Sequence, residues 1–267
     1  MSTVLNTPST TRKFWGKLWE SSIAVLVIVI LWEALPSLGI IWTGALPPLS
    51  AVLKALWTMT INGMIWHHFS ISIFRSLSGF VLACAVGLPL GLLLGRSKLM
   101  FELFDPLIVF CRNTAVLALY PVFILIFGFA EFSKIAIIFW GAIWPILLNT
   151  MDGVRKVDPI LIKAAKSMSI SEFSLFRKVI LPYSLPAIYT GFRLSATRAV
   201  VILVAAEMLG ARAGLGFLVF STQNSNLIPE MYAAILVLIA LGLTLNSGLT
   251  RLEKKATFWK PANHEVT

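Results

Sequence analysis

Four ionisable side chains, Arg112, Arg193, Arg198 and Glu207, fall inside long runs of apolar residues. A charge in such a place is costly unless a cavity, a counter-charge or a partner meets it, so each marks a point where an ion could be held or passed. Arg112 stands beside Asn113 and Thr114 well inside one run, and Glu207 lies toward the outer end of another. Arg112, Asn113 and Glu207 are therefore the candidates for lining a solute pathway. Arg193 and Arg198 sit only about 10–18 Å from the start of their helix at 1.5 Å per residue, which suits snorkelling toward headgroups or structural pairing.

Other chemistry finds little support. The histidines are His67, His68 and His264, and adjacent histidines on a helix point to different faces, so no metal site is expected. Cys84 and Cys111 lie in apolar runs without a thiolate-favouring pattern and read as small hydrophobes. The segment GLLLGRSK, Gly91 to Lys98, lacks the Gly-Lys-Ser/Thr order of a phosphate loop and ends an apolar helix rather than following a strand. With no nucleophile elbow or ligand cluster either, catalysis within this chain is not expected, and uphill transport would draw its energy from a partner or an ion gradient.

These residues need elements to position them, and composition says which. Of 267 residues 58% are apolar and 13% charged, against about 45–50% and about 25% in soluble domains. The chain reads as an all-α polytopic membrane protein. Six apolar segments, at about Ser21–Trp42, Ile71–Gly95, Phe104–Phe129, Phe132–Thr150, Pro186–Gly210 and Met231–Leu252, are each near the roughly 20 residues that cross a bilayer. The first is too long for a signal-peptide core and is expected to stay as an anchor.

The formal charge of +10 sits in short segments between these runs, a topology signal rather than a nucleic-acid groove. With the N-terminus inside, Arg12, Lys13, Lys17, Arg96, Lys98, Arg155, Lys156, Lys163, Lys166, Arg177, Lys178, Arg251, Lys254, Lys255 and Lys260 are cytoplasmic, against Lys54, Arg75, Lys134 and Arg212 outside. That bias places both termini in the cytoplasm. The organisation is a cytoplasmic tail over 1–20, its start disordered, a transmembrane domain over 21–252 with a cytoplasmic loop at 151–185, and a cytoplasmic tail over 253–267.

Between the first two spans, Leu46-Pro47-Pro48 leads into a short surface helix over Ser50 to Trp57 with Ser50 as N-cap. In the second span Gly79, Ala83, Gly87, Gly91 and Gly95 recur every four residues, a stripe that lets a neighbouring helix approach closely. Pro89 in the same span reads as a tolerated membrane proline.

The 151–185 loop is the one long polar interruption. Asp158-Pro159 is a helix start, an N-cap oxygen followed by a residue whose missing N–H costs nothing there. Ile160, Leu161, Ala164, Ala165 and Met168 share a face on which the paired alanines leave a notch for another protein. A second helix begins near Ser171 with Glu172 in its first turn and Arg177 and Lys178 in its last, and Leu181-Pro182 stops it. Such a loop suits either a docking surface or contact with anionic headgroups.

The loop resembles that of the inner-membrane permeases of ATP-binding-cassette importers, whose pattern is Glu-Ala-Ala, three residues, Gly, nine residues, Ile, one residue, Leu-Pro. Ala164, Ala165, Val179, Leu181 and Pro182 stand in the matching places, whereas Lys163 replaces the acid and Ser169 the glycine. Ser169 would bear about 1 kcal/mol of strain in the left-handed turn that glycine supplies, or force a different break. The segments LPPLSAVLKAL, SLSGFVLACAVGLPLGLLLG, DPLIVFCR, ALYPVFILIFGFAEFSKI, ILLNTMDGVRKVD and LPAIYTGFRLSATRAVVILVAAEMLGARAGLGFLV are similar to the branch importing nitrate, sulfonates, taurine or bicarbonate. Ala115 stands where that branch often has proline, which implies that the third span lacks a kink.

The resemblance implies a type I importer permease with a cytoplasmic coupling helix. It implies a non-catalytic subunit of the inner membrane, itself in contact with lipid and paired with a second permease copy as a homodimer, with ABC ATPase subunits that bind ATP and Mg, and with an outer substrate-binding protein. No cofactor belongs to this chain, and no nucleic acid. Lys163, Ala164, Ala165, Ser169, Val179, Leu181 and Pro182 would carry the coupling. A gradient-driven secondary transporter would instead show inverted repeats and interrupted helices, and a scaffold would not need the loop pattern.

Overall fold

A computed structural model describes the backbone of residues 10–256 and the side chains of residues 23–255. The tail start, the side chains of Arg12, Lys13 and Lys17, and also Lys260 and His264 lie outside the described residues. All described elements are helical: α1 Thr10–Ser37, α2 Leu49–Ile61, α3 Met64–Arg96, α4 Lys98–Asn113, a 3-10 turn Val116–Leu119, α5 Tyr120–Phe127, α6 Glu131–Arg155, α7 Pro159–Ser167, α8 Glu172–Leu175, a π turn Phe176–Ile180, α9 Leu181–Gly210, α10 Leu215–Asn224 and α11 Ile228–Ala256.

Three of these, α3, α6 and α11, are long and apolar enough to cross a membrane. The pairs α4 with Val116–Phe127, bent by 86°, and Glu172–Gly210 with α10, bent by 46°, bring the number to five if each is one span. The first expected span differs. α1 ends at Ser37, before the expected Trp42, and residues 38–48 turn back toward α2.

The core forms around α6, whose Ile137, Ile138, Ala142, Ile146 and Leu147 are buried between α3 and α9. The small-residue stripe of α3 lies on it. A Cβ on Gly79 would come within 2.5 Å of Ile138, one on Gly91 within 2.7 Å of the Leu147 carbonyl, and one on Gly95 within 2.8 Å of Val154. Glycine here lets the two backbones approach more closely than any side chain would permit. The α9 side repeats the device, with Gly141 under Ile202 and Gly191 against Pro145 and Asn149. Outward faces stay apolar: Ile23 to Leu31 of α1, Phe74 and Val81 of α3 and Leu243 of α11 are all exposed. In water such surface would be an association hazard, and in a bilayer it is the expected exterior.

Three local expectations are corrected. Ser50 does not cap α2. Pro48 occupies that position, and the orphan N–H of Ser50 is met by the Glu33 carboxylate of α1, at 2.9 Å, while the Ser50 hydroxyl donates to its other oxygen at 2.8 Å. The third span is sharply bent although Ala115 is not proline, because Thr114 and Ala115 both adopt extended backbone and the Thr114 hydroxyl bonds back to the Phe110 carbonyl. Leu181-Pro182 does not stop the loop helix. The Leu181 N–H bonds to Phe176, a π turn that lets the chain run on with Pro182 at the start of α9, where its missing N–H does no harm.

Candidate functional site

The polar side chains gather at three levels. The loop end of the bundle, where α3 finishes and α7 and α8 lie, carries a small core of its own. Ala165, Leu175 and Ile180 are buried there with Val154 and Val157 at the end of α6. Asp158 caps α7, its carboxylate accepting from the Ile160 N–H at 2.7 Å, and Ser171 caps α8. Ser169 takes φ 54°, the left-handed turn expected of the glycine it replaces. Arg96 at the end of α3 and Lys166 on α7 both pair with Glu172, at 3.0 and 3.3 Å.

The loop is thus joined to α3, α6 and α9, and its two alanines part company. Ala165 faces this inner core whereas Ala164 is exposed, so they do not form one notch. The exposed apolar residues of the loop are instead Ile160, Leu161, Ala164 and Met168 with Phe173 of α8, Ile160, Met168 and Phe173 each being at least 70% accessible. Lys163 is exposed as well, and Val179, Leu181 and Pro182 are half-buried.

At mid-height, a cavity of about 550 Å³ opens where the α4 bend meets α6 and α9. Its polar wall is Arg112, Asn113, Asn149, Thr197 and Arg198, and its apolar wall is Trp144, Pro145, Leu148 and Leu194. Arg112 and Asn113 are therefore together, joined by an arginine that the sequence reading had set toward the headgroups. Arg193, five residues earlier on α9, faces elsewhere and pairs with Glu253 of α11 at 3.7 Å.

Glu207 belongs to neither place. It is fully buried near the far end, 2.8 Å from Arg75, and accepts from the Gly216 N–H and the Ser72 hydroxyl. Arg75 also grips both oxygens of Glu131 and donates to the Ala213 carbonyl, and Lys134 lies 3.7 Å from Glu131. His68 completes the cluster by accepting from the Gly214 N–H at 3.0 Å. Two cations and two carboxylates balance here, so the cluster around Arg75 and Glu207 ties α3, α6, α9 and the start of α10 together. An open cavity of about 820 Å³ adjoins the cluster, with Arg212 and Phe129 on its wall. Arg75 was missed as a buried group because it stands near the end of an apolar run, where charge usually reads as topology.

A family model described as "Binding-protein-dependent transport system inner membrane component" matches residues 87–257. Among curated relatives, a Bacillus subtilis permease protein named for aliphatic sulfonates transport is 33% identical over 93% of this chain and 90% of its own. The taurine transport system permease protein of Escherichia coli is 32% identical over 87% and 86%, and the bicarbonate transport system permease protein of Synechocystis is 30% identical over 91% of each. Among solved structures, an inward-facing form of the MetNI methionine ABC transporter aligns with TM-score 0.60 and 18% identity, over 78% of this chain and 97% of that one. The last likeness speaks to the fold.

Proposed function

Because this chain belongs to the binding-protein-dependent transport inner membrane components, the non-catalytic permease subunits of ABC importers, we propose that it passes a small anion through a homodimeric inner-membrane pore. Relatives named for sulfonates, taurine, bicarbonate and nitrate support that substrate class. Both termini and the 151–185 loop face the cytoplasm, in keeping with the basic bias. The outer face receives a substrate-binding protein, and the apolar exterior contacts lipid.

The observation that carries the reading is the set of exposed apolar residues on α7 and α8, carried by a loop that is itself packed on its neighbouring spans and ion-paired to α3. Such a surface suits a cleft on an ATPase, which binds the ATP and Mg. Its rigid attachment lets closure of the ATPase dimer swing the spans as bodies. Ala164 then contributes by contact, and Ala165, Leu181, Pro182, Val179 and Ser169 by holding the loop in shape. Arg112 and Asn113 line the passage, and Glu207 supports it from the far end.

The test is purification with the ATPase and binding protein, followed by reconstitution into vesicles. ATP-dependent uptake of a sulfonate, taurine, nitrate or bicarbonate is expected. Uptake by this chain alone, following a proton gradient, would overturn the proposal in favour of secondary transport.

A further inference from the structure

We infer that the mid-height cavity between the α4 bend, α6 and α9 is a binding site for an organic oxyanion, with Arg112 and Arg198 holding the charged head and an apolar wall holding a short organic group. The inference rests on the reading of this chain as an importer permease. Height is the first argument. Pro145 lies about 21 Å from the Glu131 end of α6 and about 15 Å from its Arg155 end, at 1.5 Å per residue. Thr197 and Arg198 are likewise some 18–26 Å from both ends of α9. The site is near the middle of the bundle, beyond ordinary headgroup reach.

Charge is the second. Among the described residues, the lysine and arginine side chains withdrawn from the surface each have a carboxylate: Arg75 has Glu131 and Glu207, Lys134 has Glu131, and Arg193 has Glu253. Among the described residues no carboxylate lies within 4 Å of Arg112 or Arg198. Arg112 and Arg198 are both exposed on the wall of this one open cavity with no carboxylate to pair with, so their guanidinium groups are available to an incoming anion. Planar guanidinium forks match the oxygens of a sulfonate or carboxylate.

Shape is the third. Trp144, Pro145, Leu148 and Leu194 make up about half of the lining. An inorganic anion would meet the arginines and leave this wall wet, whereas an alkyl-bearing anion covers both. A volume of about 550 Å³ falls in the usual range for small-molecule sites, roughly 300–1,000 Å³.

The experiment uses the permease–ATPase complex in nanodiscs, without binding protein, and radiolabelled ethanesulfonate with inorganic sulfate as competitor. Saturable ethanesulfonate binding is expected, weakened at least about tenfold in Arg112→Gln and in Arg198→Gln. Arg→Lys at each position should fold and keep a measurable part of the affinity. Leu148→Ser should weaken ethanesulfonate and leave sulfate unchanged. No saturable binding, unchanged affinity in both glutamine variants, or sulfate competing as well as unlabelled ethanesulfonate would overturn the inference. So would variants whose only change is loss of co-purified phosphatidylglycerol, since the arginines would then serve a lipid headgroup. ATPase co-purification and ATP-driven uptake are scored separately: if they persist while ethanesulfonate binding is absent, this site fails and the importer reading stands.

Discussion

The Arg75 guanidinium lies 2.8 Å from the Glu207 carboxylate across 132 residues of sequence, and both side chains are essentially inaccessible. Neither charge could be buried without the other. The pair, with Ser72, Glu131 and the Gly216 N–H, fixes the turn between α9 and α10 against α3 and α6.

Breaking a buried pair strands one charge, at about 3–5 kcal/mol. Arg75→Leu is expected to lower stability by that order, seen as a lower midpoint of thermal unfolding in detergent and a smaller monodisperse fraction on gel filtration. Arg75→Leu combined with Glu207→Leu should recover part of the loss. A double variant no more stable than the single would show that the pair is not the unit of stability.

The turn itself gives a second prediction. Gly214 has φ 119°, and a Cβ there would stand 2.2 Å from the Glu207 carboxylate. Gly214→Ala combines a backbone conformation that L-residues avoid with a clash against a buried charge, and should cost about 2–3 kcal/mol. Gly248→Ala, with nothing within 4 Å, is the matched control and should leave the unfolding midpoint within a degree or two or raise it.

Close packing of α3 on α6 gives a third. Gly91→Ala puts a methyl within 2.7 Å of a backbone carbonyl that cannot move alone, so the helices must separate, at about 1–3 kcal/mol. The measurement is the unfolding midpoint, and a variant as stable as the parent would mean that the two helices have room to shift.

The loop separates contact from support. Phe173 is exposed and apolar, whereas Ala165 is buried in the loop's own core. Phe173→Ala should leave the permease as stable as before and weaken ATPase retention by about five- to thirtyfold, the effect of losing an apolar anchor of about 1–2 kcal/mol. Ala165→Leu should lower stability as well as coupling. ATPase co-purification and thermal unfolding, measured on both variants, distinguish the two roles.

Much of this fold was legible because apolar runs, glycine spacing and helix caps are local. The helices near residues 64–96, 131–155 and 181–210, the α3 stripe and the Asp158 and Ser171 caps all follow from short stretches of sequence. What escaped depends on partners distant in sequence. Glu33 capping α2 could not be read from Ser50 alone, and the α4 bend carries no proline to announce it. Arg198 joined Arg112 only through the register of α9 against α6, which Gly191 on Pro145 sets. Glu207 had the right signal, a charge in an apolar run, but its partner Arg75 stood where charge ordinarily reports topology.

Ser169 offers the last prediction. Its φ of 54° is the left-handed conformation that ends α7, and its N–H bonds to the Lys166 carbonyl, so the turn is formed despite the side chain. A Cβ there costs about 1 kcal/mol relative to glycine, part of which glycine would return through its greater freedom in the unfolded chain. Ser169→Gly should therefore steady the end of α7 by a few tenths to 1 kcal/mol. A change confined to this joint is read most sensitively by hydrogen exchange at Met168 and Ser169, which should slow by about two- to fivefold while the overall unfolding midpoint barely moves. Faster exchange in the glycine variant would mean that the serine hydroxyl or the stiffness of its backbone holds the turn, and that the departure from glycine stabilises this loop rather than straining it.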